Sequence, residues 1–317
     1  MSMFLPTRVE IGNAVRYPQF IKDPFLTGYT VLNKTNGGIQ EWAGGLSMVY
    51  CLVKNNERWA FKAWHTEIRD IRERYKKISA HLRRFNLSYF SEFQFVENGL
   101  LVTDQKLNTT QLIDTLRMKW ISGNTLTEYI NVNLENKIVL ENLAKRFLRM
   151  VKDLRRNSIS HGDLKNENIF VTNEGKIKLI DYDSLCVPGI EGERDICRGT
   201  SGFQHPSRIT SGLTASLKID YFSELIIYIS ILAVAESPLL WERYDVVNAD
   251  YRLLFKQEDF IQWEDSRIKN DLNLLSPRIQ NLLGILESYL ASHLLLSPFN
   301  NYNSRTNKFL RWAKFSA

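Results

Sequence analysis

Between His161 and Asp181 the chain sets out a carboxylate (Asp163), an ammonium (Lys165), an amide (Asn168) and a second carboxylate (Asp181) in one fixed order. The first three lie within His161-Gly162-Asp163-Leu164-Lys165-Asn166-Glu167-Asn168-Ile169, and Asp181 follows Asp163 by 18 residues in Ile180-Asp181-Tyr182-Asp183. Asn173-Glu174-Gly175 is a turn sequence, so 168–181 reads as strand, turn and strand. Each residue alone reads as a turn or cap, because Asp and Asn bond their own backbone readily. The ordered set, at the two ends of one hairpin, demands a fold that gathers polar groups of different kinds in one place.

The flanking sequence divides into a strand-rich first part and a helix-rich second. Leu46–Val53 and Arg58–Trp64 are rich in β-branched and aromatic residues and flank the loop Lys54-Asn55-Asn56-Glu57, which predicts a hairpin. Residues 66–84 place Ile68, Ile71, Tyr75, Ile78 and Leu82 at helical spacing, with charges on the other face. Phe93–Glu97 and Leu100–Thr103 flank Asn98-Gly99, a two-residue turn signal that predicts a second hairpin. Ser122-Gly123-Asn124 marks the boundary, and helices are expected near 125–131, at 137–157 and from Asp220 onward. Residues 1–38 mix aromatics, Pro and charges without sustained period and read as a partly ordered arm, followed by a first lobe over 39–121 and a second over 122–317.

Composition narrows the class. The 317 residues suffice for two units at roughly 150 residues per domain. A hydrophobic fraction of 44%, with only 8 Pro and 16 Gly, excludes wholesale disorder and a collagen-like repeat. Cys51, Cys186 and Cys197 are too few and scattered for a disulfide framework or a four-ligand zinc site. That cysteine usage leads us to expect a reduced, cytoplasmic setting, and the first twenty residues, with no apolar core followed by a small-residue cleavage site, do not read as a secretory signal. The apolar run Leu225–Ala235 is about half the roughly 20 residues of a membrane span, and a buried helix is expected there. The formal charge of +6 chooses no partner. Trp241, Trp263 and the aromatic, basic tail Tyr302–Ala317 read as packed helix with a solvated face, and neither nucleic acid nor membrane is expected as a partner.

One carboxylate to receive a hydroxyl proton, a cation near the transferring group, and an amide with a second carboxylate for Mg²⁺ are what phosphoryl transfer requires. His161–Asn168 resembles the catalytic loop of the protein kinase superfamily, and Asp181-Tyr182-Asp183 stands where that family has its metal-binding Asp-Phe-Gly. The resemblance implies an α+β, bilobal protein-kinase-like fold, with an antiparallel-sheet N-lobe carrying one helix and a mainly helical C-lobe. It implies ATP and Mg²⁺ as cofactors, Asp163 as base, Lys165 as the γ-phosphate contact, and Asn168 and Asp181 as metal ligands. Trp59-Ala60-Phe61-Lys62 resembles the family's Val-Ala-Ile-Lys strand, so Lys62 would grip the α- and β-phosphates. Gly44-Gly45-Leu46-Ser47-Met48-Val49 is similar to a reduced glycine-rich loop, with Val49 against the adenine; Ala60, Met118 and Trp120 complete the nucleotide-contacting set. Glu73, or else Glu67, would pair with Lys62.

Gly199-Thr200-Ser201-Gly202-Phe203-Gln204-His205-Pro206-Ser207 matches the family's substrate-side stretch, with Thr200 bridging Asp163 and Lys165 as in serine/threonine kinases. Asp220 resembles the residue that braces the catalytic loop. Three positions depart from the family: Gly162 stands in place of Arg, Asp183 in place of Gly, and Ser207 in place of Glu. Without the Arg, loop phosphorylation is not expected to switch activity on. Tyr182-Asp183-Ser184, Phe203-Gln204-His205-Pro206-Ser207-Arg208 and Ser237-Pro238-Leu239-Leu240-Trp241 resemble a bacterial serine/threonine kinase-like group often encoded beside a PP2C-type phosphatase and a von Willebrand A-type protein, and that resemblance implies those two partners besides a protein substrate. The alternatives are a pseudokinase, serving as a nucleotide-binding or scaffold module, and a small-molecule kinase.

Overall fold

The computed structural model describes residues 5–210, 214–248 and 253–291. The chain forms two compact units, the first ending at Ile121 but excluding 80–89, the second comprising 80–89 and the chain from Ser122 onward. The tail Tyr302–Ala317 lies outside the described residues.

The first unit contains α1 (Arg8–Val15), β1 (Thr30–Val31), β2 (Glu41–Ala43), β3 (Ser47–Lys54), β4 (Glu57–Trp64), most of α2 (Ile71–Leu82), β5 (Phe93–Asp104) and β6 (Thr109–Lys119). Its six strands form one antiparallel sheet in the order β1-β3-β4-β6-β5, with β2 also pairing with β3. Because side chains alternate along a strand, Met48, Tyr50, Leu52, Trp59, Phe61 and Ala63 fall on one face. Ile11, Ala14, Val15, Ile21, Leu26, Tyr29, Val31 and Ile39 cover that face in a single core. The segment read as an arm is therefore part of the unit's interior. The Thr7/Glu10 capping box starts α1, and Ile11, Ala14 and Val15 point inward at helical spacing. Full removal of Ile11 and of Val15 from water contributes about 1.5–3 kcal/mol each.

Two local expectations are corrected. Phe93–Glu97 and Leu100–Thr103 are one strand, β5, with a register shift between Val96 and Leu100, and the hairpin turn lies at 105–108. Asn98 donates its N–H to Asp114 Oδ1 at 2.9 Å, and a Cβ at Gly99 would sit 1.9 Å from Thr115 Oγ1. Asn-Gly here serves a bulge pressed on the neighbouring strand, and Asp104 Oδ1 caps the real turn by accepting from Lys106 and Leu107. Likewise α2 starts at Ile71, because Asp70 adopts φ +57°, which ends any continuous helix from 66.

The second unit contains β7 (Gly123–Thr125), α3 (Leu126–Asn131), α4 (Lys137–Arg156), β8 (Ile169–Thr172), β9 (Ile177–Leu179), α5 (Pro206–Thr210), α6 (Tyr221–Glu236), α7 (Leu239–Arg243), α8 (Gln257–Ile261), α9 (Arg267–Asn273) and α10 (Pro277–Leu290). The three strands make a small antiparallel sheet, β7-β8-β9. Around it, α4 buries Leu140, Leu143, Ala144, Phe147, Met150, Val151 and Leu154, and α6 buries every residue from Phe222 to Ala235. An all-round apolar helix is stable in water only when enclosed, and α6 is the enclosed one. Among the described residues, no helix is long and apolar enough to cross a membrane. Trp241 and Trp263 are core residues whose indole N–H groups donate to Asn131 Oδ1 (3.0 Å) and Glu287 Oε1 (3.1 Å).

Candidate active site

In the first unit, Gly44 and Gly45 occupy the tight turn between β2 and β3, closed by Gly44 N–H donating to Ser47 O at 2.8 Å. Val49 lies directly across from Lys62, Cys51 from Ala60, Ala60 from Met118 and Lys62 from Leu116. Strand alternation thus puts Val49, Ala60, Lys62 and Met118 on the sheet face opposite the core that the N-terminal segment covers. Lys62 is buried, with its ammonium 5.8 Å from the Trp64 ring centroid. Trp120 follows β6 and packs against Trp42 with centroids 5.2 Å apart.

The carboxylates expected beside Lys62 are placed elsewhere. Glu73 is exposed and pairs with Lys76 at 2.7 Å, which holds its carboxyl below the usual range. Glu67 lies exposed ahead of α2. The helical period is the reason: the buried face carries Arg74, Tyr75 and Ile78, and Glu73, two residues before Tyr75, falls on the solvent side.

In the second unit, the residues from His161 to Asn168 form a loop fixed from several sides. Asp220 accepts the backbone N–H of His161 and, at 2.9 Å, that of Gly162. Burial raises the Asp220 pKa, opposed by these donors and by Arg208. The fully buried His161 ring places Nε2 2.8 Å from Ile180 O, which ties this loop to the residue preceding Asp181. Asn168 N–H bonds to Lys165 O, and Ile180 N–H donates to Asn168 O at 3.0 Å.

Four sequence-selected side chains converge on one another. Thr200 Oγ1 donates to Asp163 Oδ1 at 3.1 Å. Asn168 Nδ2 donates to Asp163 O at 2.8 Å and lies 3.4 Å from Asp163 Oδ2. Lys165 Nζ stands 4.0 Å from Asp163 Oδ2 and 3.1 Å from Glu167 Oε2. Burial works against the Lys165 charge, but the carboxylates of Asp163, Glu167 and Asp181 outweigh it and raise its pKa. Asp181 adopts a left-handed backbone (φ +61°) and is exposed.

The donor set suits Mg²⁺. Asn168 uses its amide N–H on Asp163 O, which leaves the amide oxygen as the group to offer a cation, and Asp181 supplies a carboxylate. Among the described residues no cluster of three or more His, Cys, Asp or Glu forms an all-protein metal cage. Mg²⁺ needs none, since it takes one or two protein ligands and fills its shell with water and phosphate oxygens.

Sequence reasoning missed one side chain at this site. Arg208 on α5 is buried, donating from Nη1 to Gly162 O (2.9 Å) and Gln204 Oε1 (2.5 Å), and from Nη2 to Asp195 Oδ2 (3.1 Å). Gln204 is four residues away but precedes α5, so no helical spacing in the sequence marked the contact. Ser207, in place of the family's Glu, is held locally by His205 Nδ1 at 2.5 Å.

A protein kinase domain model matches residues 43–290, and the chain belongs to the protein kinase family. A MAP kinase kinase of Saccharomyces cerevisiae, MKK1/SSP32, is 29% identical over 234 residues, covering 70% of this chain and 42% of that protein. The probable serine/threonine-protein kinase mkcC of Dictyostelium discoideum is 28% identical over 132 residues, 42% of this chain and 15% of its own length. The serine/threonine-protein kinase shk1/pak1 of Schizosaccharomyces pombe is 27% identical over 115 residues, 33% of this chain and 18% of its own length. The chain spans less than half the length of each of these relatives. All three are eukaryotic, so the bacterial grouping expected from the sequence finds no support in them.

Proposed function

We propose that this chain is an ATP- and Mg²⁺-dependent serine/threonine protein kinase that transfers the γ-phosphoryl group to a protein hydroxyl. The observation that carries this reading is the setting of Asp163, with Thr200 bonded to one carboxylate oxygen and Asn168 and Lys165 beside the other. Asp163 orients the incoming hydroxyl and accepts its proton as that oxygen bonds to phosphorus and the bond to the ADP oxygen breaks. Lys165, kept charged by three carboxylates, steadies the transferring group. Lys62 grips the α- and β-phosphates, and Gly44, Gly45, Val49, Ala60, Met118 and Trp120 line the nucleotide. Asn168 and Asp181 would hold Mg²⁺, which when bound neutralises charge on the phosphate oxygens. A cytoplasmic setting and partnership with a PP2C-type phosphatase and a von Willebrand A-type protein belong to the same reading.

The test is phosphoamino-acid analysis after incubation with γ-labelled ATP and Mg²⁺. Label on Ser or Thr supports the reading; label on Tyr alone, or turnover only with a metabolite, overturns it. One observation favours a second reading, a nucleotide-binding module without transfer: Glu73, expected beside Lys62, pairs with Lys76. ATP binding with no label on any substrate would select it.

A further inference from the structure

We propose that Arg208 and Asp195 form a permanent latch that positions Asp163 without phosphorylation, with the Asp195 carboxylate in the place a loop phosphate would take. The proposal rests on the reading of Asp163 as the base. Gly162 explains why a different cation is needed. Its φ is +82°, and a Cβ there would lie 2.3 Å from Ser184 O and 2.8 Å from Ser184 Cβ, so position 162 has no room for a side chain of any kind. The guanidinium arrives instead from α5.

Arg208 joins two parts of the site through one buried group. Nη1 holds the carbonyl of Gly162, the residue preceding Asp163, while Asp220 holds the N–H of the same residue, so Gly162 is fixed at both its backbone polar groups. Nη2 reaches Asp195 Oδ2 and also lies 3.4 Å from Cys197 O. Asp195 uses its other oxygen to accept the N–H of Ile196 at 2.8 Å. Five residues beyond Asp195, Thr200 returns to Asp163. The circuit runs from Asp163 through the Gly162 carbonyl, Arg208, Asp195 and the 195–200 segment back to the Asp163 carboxylate.

The pair is dry, with side-chain exposures of 5% and 2%. A buried charge that loses its partner is left uncompensated, so opening the latch is costly. A phosphate on a loop makes the same kind of bond to Arg but is added and removed enzymatically. Asp195 is encoded, so no phosphatase opens this contact.

The experiment uses the full chain, treated with phosphatase, and monitors ADP release with myelin basic protein as phosphate acceptor. Asp195→Asn and Arg208→Gln should each lower kcat about 10- to 100-fold, the range expected when a catalytic group is displaced by about an ångström. KM for ATP should stay within about twofold, because ground-state nucleotide binding is untouched. The double variant should be no slower than the slower single, since the two residues act as one unit. Unchanged kcat in both singles, additive losses in the double, or a large fall in the parent on dephosphorylation would overturn the latch. Amide hydrogen exchange separates the latch from the catalytic reading. In Asp195→Asn, residues 194–200 and 161–164 should exchange faster while α6 stays protected; equal exchange in variant and parent sinks the latch even if the parent transfers no phosphate. Should Arg208→Gln fail to fold, Asp195→Asn, which keeps the side-chain shape, carries both readouts.

Discussion

Arg117 on β6 donates from Nη1 to both carboxylate oxygens of Asp23 at 2.7 Å, fastening the N-terminal segment to the sheet it covers. Asp23 is 2% exposed, and the Arg117 guanidinium also lies 4.2 Å from the Phe25 ring centroid. Asp23→Ala should destabilise the protein by about 3 kcal/mol, because it leaves a largely buried guanidinium unpaired. Urea unfolding monitored by tryptophan fluorescence measures this, and a midpoint unchanged from the parent would mean the segment is not held by this pair.

Gly162→Ala forces a methyl against Ser184 O and places a β-carbon on a left-handed backbone. The backbone strain alone should cost about 1–3 kcal/mol. The expected result is a lower unfolding midpoint together with slower phosphoryl transfer; a variant as stable and active as the parent would show that the loop relaxes freely at this point.

The Asp23–Arg117 pair lies in a part of the fold that the sequence conceals. β3, β4, α4 and α6 were legible because their apolar residues keep a regular period or an unbroken apolar run. The segment before Ile39 was not, since its helix is two turns long and Pro18 and Pro24 break up the chain between that helix and β1, although Thr7 and Glu10 already spelled a capping box. Asn98-Gly99 misled because a left-handed Asn serves a bulge as well as a turn, and only the neighbour Thr115 decides between them. Asp163, Lys165 and Asn168 sit within six residues, so their meeting was readable. Arg208 was not, because its partners Gly162 and Asp195 are 46 and 13 residues distant.

Cys197 offers a chemical reporter of the Asp163 charge. Burial, then the negative field of Asp163, push its thiol up to about 11, so the thiolate is scarce at neutral pH. Alkylation by iodoacetamide, read at Cys197 by mass spectrometry, should be slow at pH 8 and rise toward pH 11. Asp163→Asn removes a negative charge, lowers that pKa and should speed the reaction at pH 8. An unaltered or slower rate would mean that the Asp163 charge does not bear on the Cys197 thiol.

Asp181→Asn replaces a carboxylate with an amide, a weaker ligand for a hard cation. Fluorescent ATP analogue titrations should show the Mg²⁺-dependent part of binding lost in the variant, with the metal-free part retained. Identical Mg²⁺ dependence in variant and parent would remove Asp181 from the metal site.

The most direct measurement is the initial rate of phosphoryl transfer from γ-labelled ATP, with Mg²⁺, by the parent and by Asp163→Asn at equal folded concentration. The side chain keeps its size and its place beside Thr200 but can no longer accept a proton, so the rate should fall about 10²- to 10⁴-fold, the usual worth of a general base. A variant that transfers phosphate at the parent's rate would contradict the assignment of Asp163 and with it the proposed mechanism.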